Sequence, residues 1–285
     1  MNLADALMPL LPAPPAGGVL ALVGGGGKTS ALFGLAGDLA GLGQAVLLTT
    51  TTHLFDPRAE PERCFDRVEL VPALAQPAGA GAGPAFGPGR AGERVVLASG
   101  LIQGGKLRGI HPSQAALLRP AWTFVLVEAD GAKGLPVKAP AGHEPAVPAQ
   151  ADLVVGVIGL DCLGRPMDAL TVHRPERFGP VAGCAEGEPI RLRHLQALVR
   201  SRSGLFKGAP EGARRVLLLN KADRAELEPA GLLRWLRDSG GVDADLVLLC
   251  SLGHPEPGER VLARFRPQDY SEVPGHAPRS GADRI

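Results

Sequence analysis

Four consecutive glycines, Gly24, Gly25, Gly26 and Gly27, are followed by Lys28, Thr29 and Ser30. Glycines let main-chain N–H groups turn inward around a phosphate chain, and the helix that follows adds its positive end. The lysine neutralises β- and γ-phosphates while the threonine hydroxyl binds Mg²⁺. This is chemistry for a nucleotide, and Gly24 to Ser30 is its expected cradle, with Lys28 expected in a solvent-reachable loop. The spacing is shorter than GxxxxGK[ST], because Leu22 stands five residues before Gly27. A glycine-rich turn that binds nothing is the plain alternative.

Two further stretches end apolar runs with polar chemistry. After WTFVLV comes Glu128-Ala129-Asp130-Gly131. A carboxylate at such a strand end holds Mg²⁺ through its water shell, and the Gly131 N–H can donate to a γ-phosphate. Lys28, Glu128 and Asp130 are the expected catalytic groups. Thr29 with Glu128 is the expected metal pair, Asp130 being the alternative carboxylate, and a simple turn or helix cap is the bland reading of either acid. After RRVLLL comes Asn220-Lys221-Ala222-Asp223. In GTPases the aspartate of such a quartet accepts guanine N1–H and N2–H, the lysine stem lies along the base, and the asparagine ties the loop to the phosphate loop. GTP is therefore the expected nucleotide, with ATP as the alternative if the quartet is an ordinary turn. Ser251, ending the next apolar run, offers a weak second base loop. At Thr49-Thr50-Thr51-Thr52-His53 a β-branched strand is one reading. The other has Thr51 or Thr52 reaching the metal or γ-phosphate and His53 facing a substrate. The loop GAKGLPVKAPAGHEP, with Lys133, Lys138, His143 and Glu144, reads as a switch or substrate loop or as solvated charge.

The elements that must position these groups follow from periodicity. Val19 to Val23 is a short apolar run, Leu32, Leu35, Ala36 and Leu39 recur at helical spacing within Thr29 to Ala40, and Ala45 to Thr49 is a second buried strand. Together they make a βαβ unit with the glycines at its first turn. Further strands are expected at 94–98, 122–128, 152–158, 214–220 and 245–250, and helices near Ser113–Leu118, Arg191–Ser201 and Pro229–Asp238. Apolar strands alternating with helices predict an α/β fold, a mostly parallel sheet flanked by helices in a three-layer sandwich of the P-loop NTPase kind. Ligands bind such sheets at the strands' C-terminal ends. One domain is expected over 1–265, interrupted by a flexible Pro/Gly/Ala-rich insertion near 72–92 and followed by a tail at 266–285.

Composition removes several function classes. Hydrophobic residues make up 45% and the formal net charge is +1, without the basic excess of a nucleic-acid binder. The N-terminal run has no basic segment and is broken by Pro9, Pro12, Pro14 and Pro15, so neither signal peptide nor membrane span is expected and the cytoplasm is the expected compartment. Cys64, Cys162, Cys184 and Cys250 are scattered without a CxxC pair, which points to incidental thiols.

The glycine loop is a compact GxxGKT of the sort seen in Mur-type ligases, and Glu128 to Gly131 resembles the ExxG segment of the metallochaperone class of P-loop GTPases. Taken in order, GGGGKTS, TTTTH, EADGAKGLPVKAP, GLDCLGRPMD with VHRPE, and LLLNKAD resemble the YqeC family of selenium-dependent hydroxylase accessory proteins, over about residues 5 to 255. That resemblance implies a role in maturing a molybdenum hydroxylase, with that enzyme or its cofactor-maturation proteins as partners. It also implies that Glu128, Asp130, Lys133 and the stretch from Asp161 to His173 and Arg174 line the site. Asp161, His173 and Arg174 stand in Gly- and Pro-rich turns and suit an anionic substrate, with Thr52, His53 and Lys133 beside them, or else form surface salt bridges. Slow Mg²⁺-dependent GTP hydrolysis is the expected activity. A phosphotransferase or ligase, or a nucleotide-binding scaffold without turnover, are the alternatives.

Overall fold

The structure is a computed structural model of the 285-residue chain. It describes residues 1–11, 17–60, 62–77, 79, 86–225, 227–254 and 260–270. Among the described residues fourteen strands run in chain order: β1 Gly18–Gly24, β2 Val46–Thr50, β3 His53–Phe55, β4 Arg67–Leu70, β5 Arg94–Ala98, β6 Gly100–Ile102, β7 Lys106–Arg108, β8 Phe124–Glu128, β9 Val137–Lys138, β10 Leu153–Gly159, β11 Val172–His173, β12 Arg214–Asn220, β13 Leu246–Cys250 and β14 Val261–Phe265. The helices are α1 Leu3–Leu7, α2 Lys28–Gly41, α3 Ala115–Leu118, α4 Pro175–Ala182, α5 Leu192–Arg200, α6 Pro229–Asp238 and α7 Pro267–Tyr270.

Nine strands form one sheet in the order β14-β13-β12-β10-β1-β8-β2-β5-β4. Every neighbouring pair is parallel except β13 with β14 at one edge. Because side chains alternate along a strand, each strand feeds two cores. Val19, Ala21 and Val23 of β1 join Val154, Ile158, Leu217 and Leu219 on one face, under α5 and α6. Leu20 and Leu22 join Val155, Val157, Val216 and Leu218 on the other, under α1 and α2. Both faces are therefore covered, which is why these strands read as continuous apolar runs. The α/β three-layer expectation holds, and the central strands fall within a residue or two of their expected bounds.

Several details differ from the sequence reading. Trp122 lies in the core rather than in β8. The threonine run splits: Thr49 and Thr50 finish β2, Thr51 and Thr52 bend, and His53 opens a three-stranded ribbon, β3-β7-β6, that periodicity does not suggest in such short segments. The 72–92 stretch is partly built into the fold. Pro72–Ala75 forms a 3₁₀ turn whose Leu74 is buried, Phe86 stacks on Trp122 at 5.8 Å, and positions 78 and 80–85 lie outside the described residues. The start of the expected tail is likewise structured, since Tyr270 of α7 is buried, while 271–285 lie outside the described residues. Among the described residues no helix is long and apolar enough to cross a membrane.

Candidate phosphate-binding cleft

Register brings the chemistry to one level of the sheet. Leu22 of β1 and Thr50 of β2 both pair with Glu128 of β8, so the glycine loop, the threonine bend and the acidic strand end emerge side by side. Gly26 and Gly27 adopt left-handed backbone, φ 70° and 119°. A Cβ on Gly26 would strike the backbone of Gly159, and one on Gly27 the Asn220 amide, so the loop admits only glycine at these two positions.

Accounting for the loop's N–H groups changes which of them are available to a phosphate. The Gly24 N–H donates to Asp130 at 3.1 Å, Gly25 to the Val157 carbonyl at 2.9 Å and Gly26 to the Leu135 carbonyl at 3.0 Å. The first intrahelical bond of α2 is Ala31 N–H to Gly27 C=O. The N–H groups of Gly27, Lys28, Thr29 and Ser30 thus remain as the helix's four orphan donors. Gly24 and Gly25 are foundations, and the donors left open to an anion stand at the start of the helix.

Lys28 is not the solvent-reachable side chain expected from sequence. It is 4% exposed, donates to the Gly24 carbonyl at 2.6 Å and pairs with Asp130 at 3.2 Å. Asp130, equally buried, also pairs with Lys138 at 3.0 Å. Lys138 reaches Glu144 at 2.7 Å, and Glu144 takes Arg174 at 2.6 Å. Burial alone would raise the Glu144 pKa, but hydrogen bonds from Arg174 and Lys138, and their charges, hold it down to about 2. An alternating chain, Lys28–Asp130–Lys138–Glu144–Arg174, buried over its first three members and half-buried at Glu144 and Arg174, therefore runs away from the glycine loop.

Glu128 stands apart from that chain. Its Oε2 accepts the Thr29 hydroxyl at 2.9 Å. Burial pushes its pKa up, against the opposing effects of the Lys28 charge and the Thr29 hydrogen bond. A divalent cation is the natural partner for such a desolvated carboxylate beside a hydroxyl: both are hard oxygen donors, and two of them are what a phosphate-bound Mg²⁺ takes from protein. The donor set therefore fits Mg²⁺, and the geometry favours Glu128 over Asp130, whose oxygens are engaged by Lys28, Lys138 and the Gly24 N–H.

The quartet at the end of β12 is arranged around the same loop. Asn220 Nδ2 donates to the Gly26 carbonyl at 2.8 Å, and its Oδ1 accepts the Leu252 N–H at 3.0 Å. Lys221 pairs with Asp161 at 2.7 Å. Asp223 is exposed and held by the Ser251 hydroxyl, which donates to Oδ1 at 2.8 Å. The weak signal at Ser251 was thus the element that orients Asp223.

A cleft of about 450 Å³ collects Gly26, Gly27, Lys28, Thr29, Ser30, Thr52, His53, Glu128, Gly131, Lys133 and Lys221 from the expected site. It also takes Phe55 and Lys106 from the ribbon, which the sequence did not single out. Thr52 shares its hydroxyl with Thr50 at 3.2 Å, and Thr51 is tied to the Ala146 carbonyl. His173 and Arg174 lie outside this cleft, in a neighbouring cavity. Among the described residues, the non-glycine positions with left-handed backbone are Lys133, Arg174 and Lys221, at φ 51°, 68° and 62°. Such strain costs about 1–3 kcal/mol each and gathers at functional sites. Here all three are cations on the walls of these two cavities. Elsewhere, Cys184, Glu188 and His194 offer ligand atoms within 4.8 Å of one another, but His194 Nδ1 accepts the Arg191 N–H and Glu188 pairs with Arg193.

Comparison with known proteins agrees with the order of motifs. The family described as YqeC protein matches residues 20–176. A protein of Escherichia coli strain K12 described as uncharacterized protein YqeC is 37% identical over 210 residues, covering 73% of this chain and 77% of its own length. No solved structure matches the chain significantly.

Proposed function

We propose that this chain, which belongs to the YqeC family, binds Mg²⁺ and a nucleoside triphosphate, GTP in preference to ATP, and hydrolyses it slowly. The observation that carries the reading is the Thr29–Glu128 hydrogen bond of 2.9 Å at the mouth of the glycine loop. It joins a helix-start hydroxyl to a strand-end carboxylate where a phosphate-bound cation needs both. Mg²⁺ in this position would neutralise charge developing on the transferred phosphoryl group. The chain's own residues supply the rest: the N–H groups of Lys28, Thr29 and Ser30 hold the phosphates, and Lys28 turns from Asp130 toward them. Asn220 fixes the loop against the base-side turn, and Asp223, oriented by Ser251, accepts the guanine edge. Hydrolysis then needs one oriented water and little covalent chemistry from the protein. Resemblance to accessory proteins of selenium-dependent molybdenum hydroxylases makes maturation of such an enzyme the proposed setting, with the nucleotide state as its gate.

Phosphate release from GTP, measured with and without Mg²⁺, tests this reading on the wild type and on Glu128→Gln. Mg²⁺-dependent release in the wild type, with that dependence lost in the variant, is the expected result. A well-folded wild type that retains no nucleotide would remove it. A second reading, phosphoryl transfer to a small molecule, is favoured by one observation: the cavity containing His173 and Arg174 shares Gly131, Lys133, Leu135 and Glu144 with the phosphate cleft.

A further inference from the structure

The neighbouring cavity, about 540 Å³, has two kinds of wall. Leu135 and Val172 give it apolar lining, and Lys133, His173 and Arg174 give it polar lining. Its charge follows from the alternating chain of ion pairs. Three cations, Lys28, Lys138 and Arg174, alternate with two carboxylates, Asp130 and Glu144, so the chain carries a cation at each end. Lys28 belongs to the glycine loop and Arg174 to the second cavity. Lys133 adds a further cation: it lines both cavities and, among the described residues, makes no hydrogen bond or ion pair. Glu144 and Glu176 also line the cavity, so its two cations and two carboxylates balance; Glu144 is held by Lys138 and Arg174, whereas Lys133, among the described residues, has no such partner.

Arg174 keeps donors beyond those that Glu144 takes. Arg174 gives Glu144 two of its nitrogens, at 2.6 and 3.2 Å, and the planar guanidinium has five N–H donors in all. His173 sits beside Lys138 across the β9–β11 pair. Burial lowers its pKa, with the Arg174, Lys138 and Lys133 charges adding to the effect, so it is a neutral ring that can accept or donate one hydrogen bond. Both flanking cations are held in left-handed backbone, which fixes where their side chains depart.

We propose that this cavity binds a small molecule carrying a phosphate or carboxylate group, its oxyanion between Lys133 and Arg174, its body against Leu135 and Val172, and a polar atom on His173. The proposal deepens the second reading above by naming the ligand class, and it depends on the nucleotide reading only for its neighbour. Inorganic phosphate and acetate are the probes for the two oxyanions, titrated calorimetrically into protein already saturated with Mg²⁺ and a non-hydrolysable GTP analogue, so that the glycine loop is filled. Saturable binding of one or both is expected, weakened about tenfold or more by Lys133→Gln and by Arg174→Gln, the scale of one charge-assisted hydrogen bond. Arg174→Gln strips a partner from Glu144 and can compromise folding, whereas Lys133 is exposed, so Lys133→Gln keeps the test open. GTP-analogue affinity is measured alongside. No saturable binding of either probe, or binding that neither substitution changes, overturns the proposal. So does an equal loss of probe and GTP-analogue affinity in both variants. If the analogue itself fails to bind, the same titration on Lys28→Ala protein separates the two readings: probe binding sensitive to Lys133→Gln there leaves the cavity standing without the nucleotide, and its absence removes both.

Discussion

The glycine loop, proposed as the phosphate end of the site, and the turn carrying Asp223, proposed as its base end, are built in opposite ways. At the phosphate end Lys28, Asp130 and Lys138 are 4%, 2% and 1% exposed and hold one another through charge. On the other turn, beyond the residues that line the cleft, the Asp223 side chain is 59% exposed and rests on one hydroxyl, that of Ser251, and a 4.0 Å contact with Arg224. Removing one member of a buried ionic set leaves an uncompensated charge, whereas an exposed carboxylate is screened by water. On the proposed reading, the groups assigned to the phosphates are therefore also groups that hold the fold, while Asp223, assigned to the base, is not.

The largest effect should come from Asp130→Asn, which leaves Lys28 and Lys138 without their shared carboxylate. A loss of about 3–5 kcal/mol in urea unfolding is expected. A change under about 1 kcal/mol, the scale of an exposed pair, would erase the contrast between the two ends. Lys28→Ala should abolish nucleotide binding at a smaller structural cost, about 1–3 kcal/mol, because Asp130 keeps Lys138 and the Gly24 N–H. Unaltered GTP affinity in that variant would detach the lysine from the phosphates.

The pH response should also belong to the phosphate side. Glu144 has its folded pKa depressed from 4.5 to about 2, so its contribution to stability is present above pH 4.5 and fades as the pH falls toward 2. Acid unfolding curves should show that loss in the wild type and a flatter slope in Glu144→Gln. The same slope in both would mean the Lys138–Glu144–Arg174 contacts do not hold in solution. The smallest structural effect is expected at Asp223→Asn, within about 0.5 kcal/mol of wild type by thermal unfolding. Its consequence is chemical instead: an amide donor opposes guanine N2–H and suits the xanthine O2, so GTP should weaken and XTP should gain.

What sequence reveals divides along the same line. The positions of the glycine loop, Glu128 and the Asn220–Asp223 quartet at strand ends were legible because each closes an apolar run, and parallel sheets put such ends on one edge. The Asn220 tie to the glycine loop followed from residue type and position alone. The burial of Lys28 was not legible, because it depends on Lys138 lying across from Asp130, a placement made by a loop dense in turn formers. Nor was the ribbon carrying Phe55 and Lys106, whose strands span three residues each, too short for any period to show. His173 and Arg174 were found as polar groups in turns, but their separation from the phosphate cleft is a matter of tertiary packing that no local pattern encodes.

The most direct measurement is an equilibrium titration of GTP into the wild-type protein, with and without Mg²⁺, followed by competition with ATP. Mg²⁺-dependent binding with GTP preferred by about a hundredfold or more is expected, since adenine leaves Asp223 unpaired. Nucleotide binding that is absent, indifferent to Mg²⁺ or equal for the two bases would contradict it.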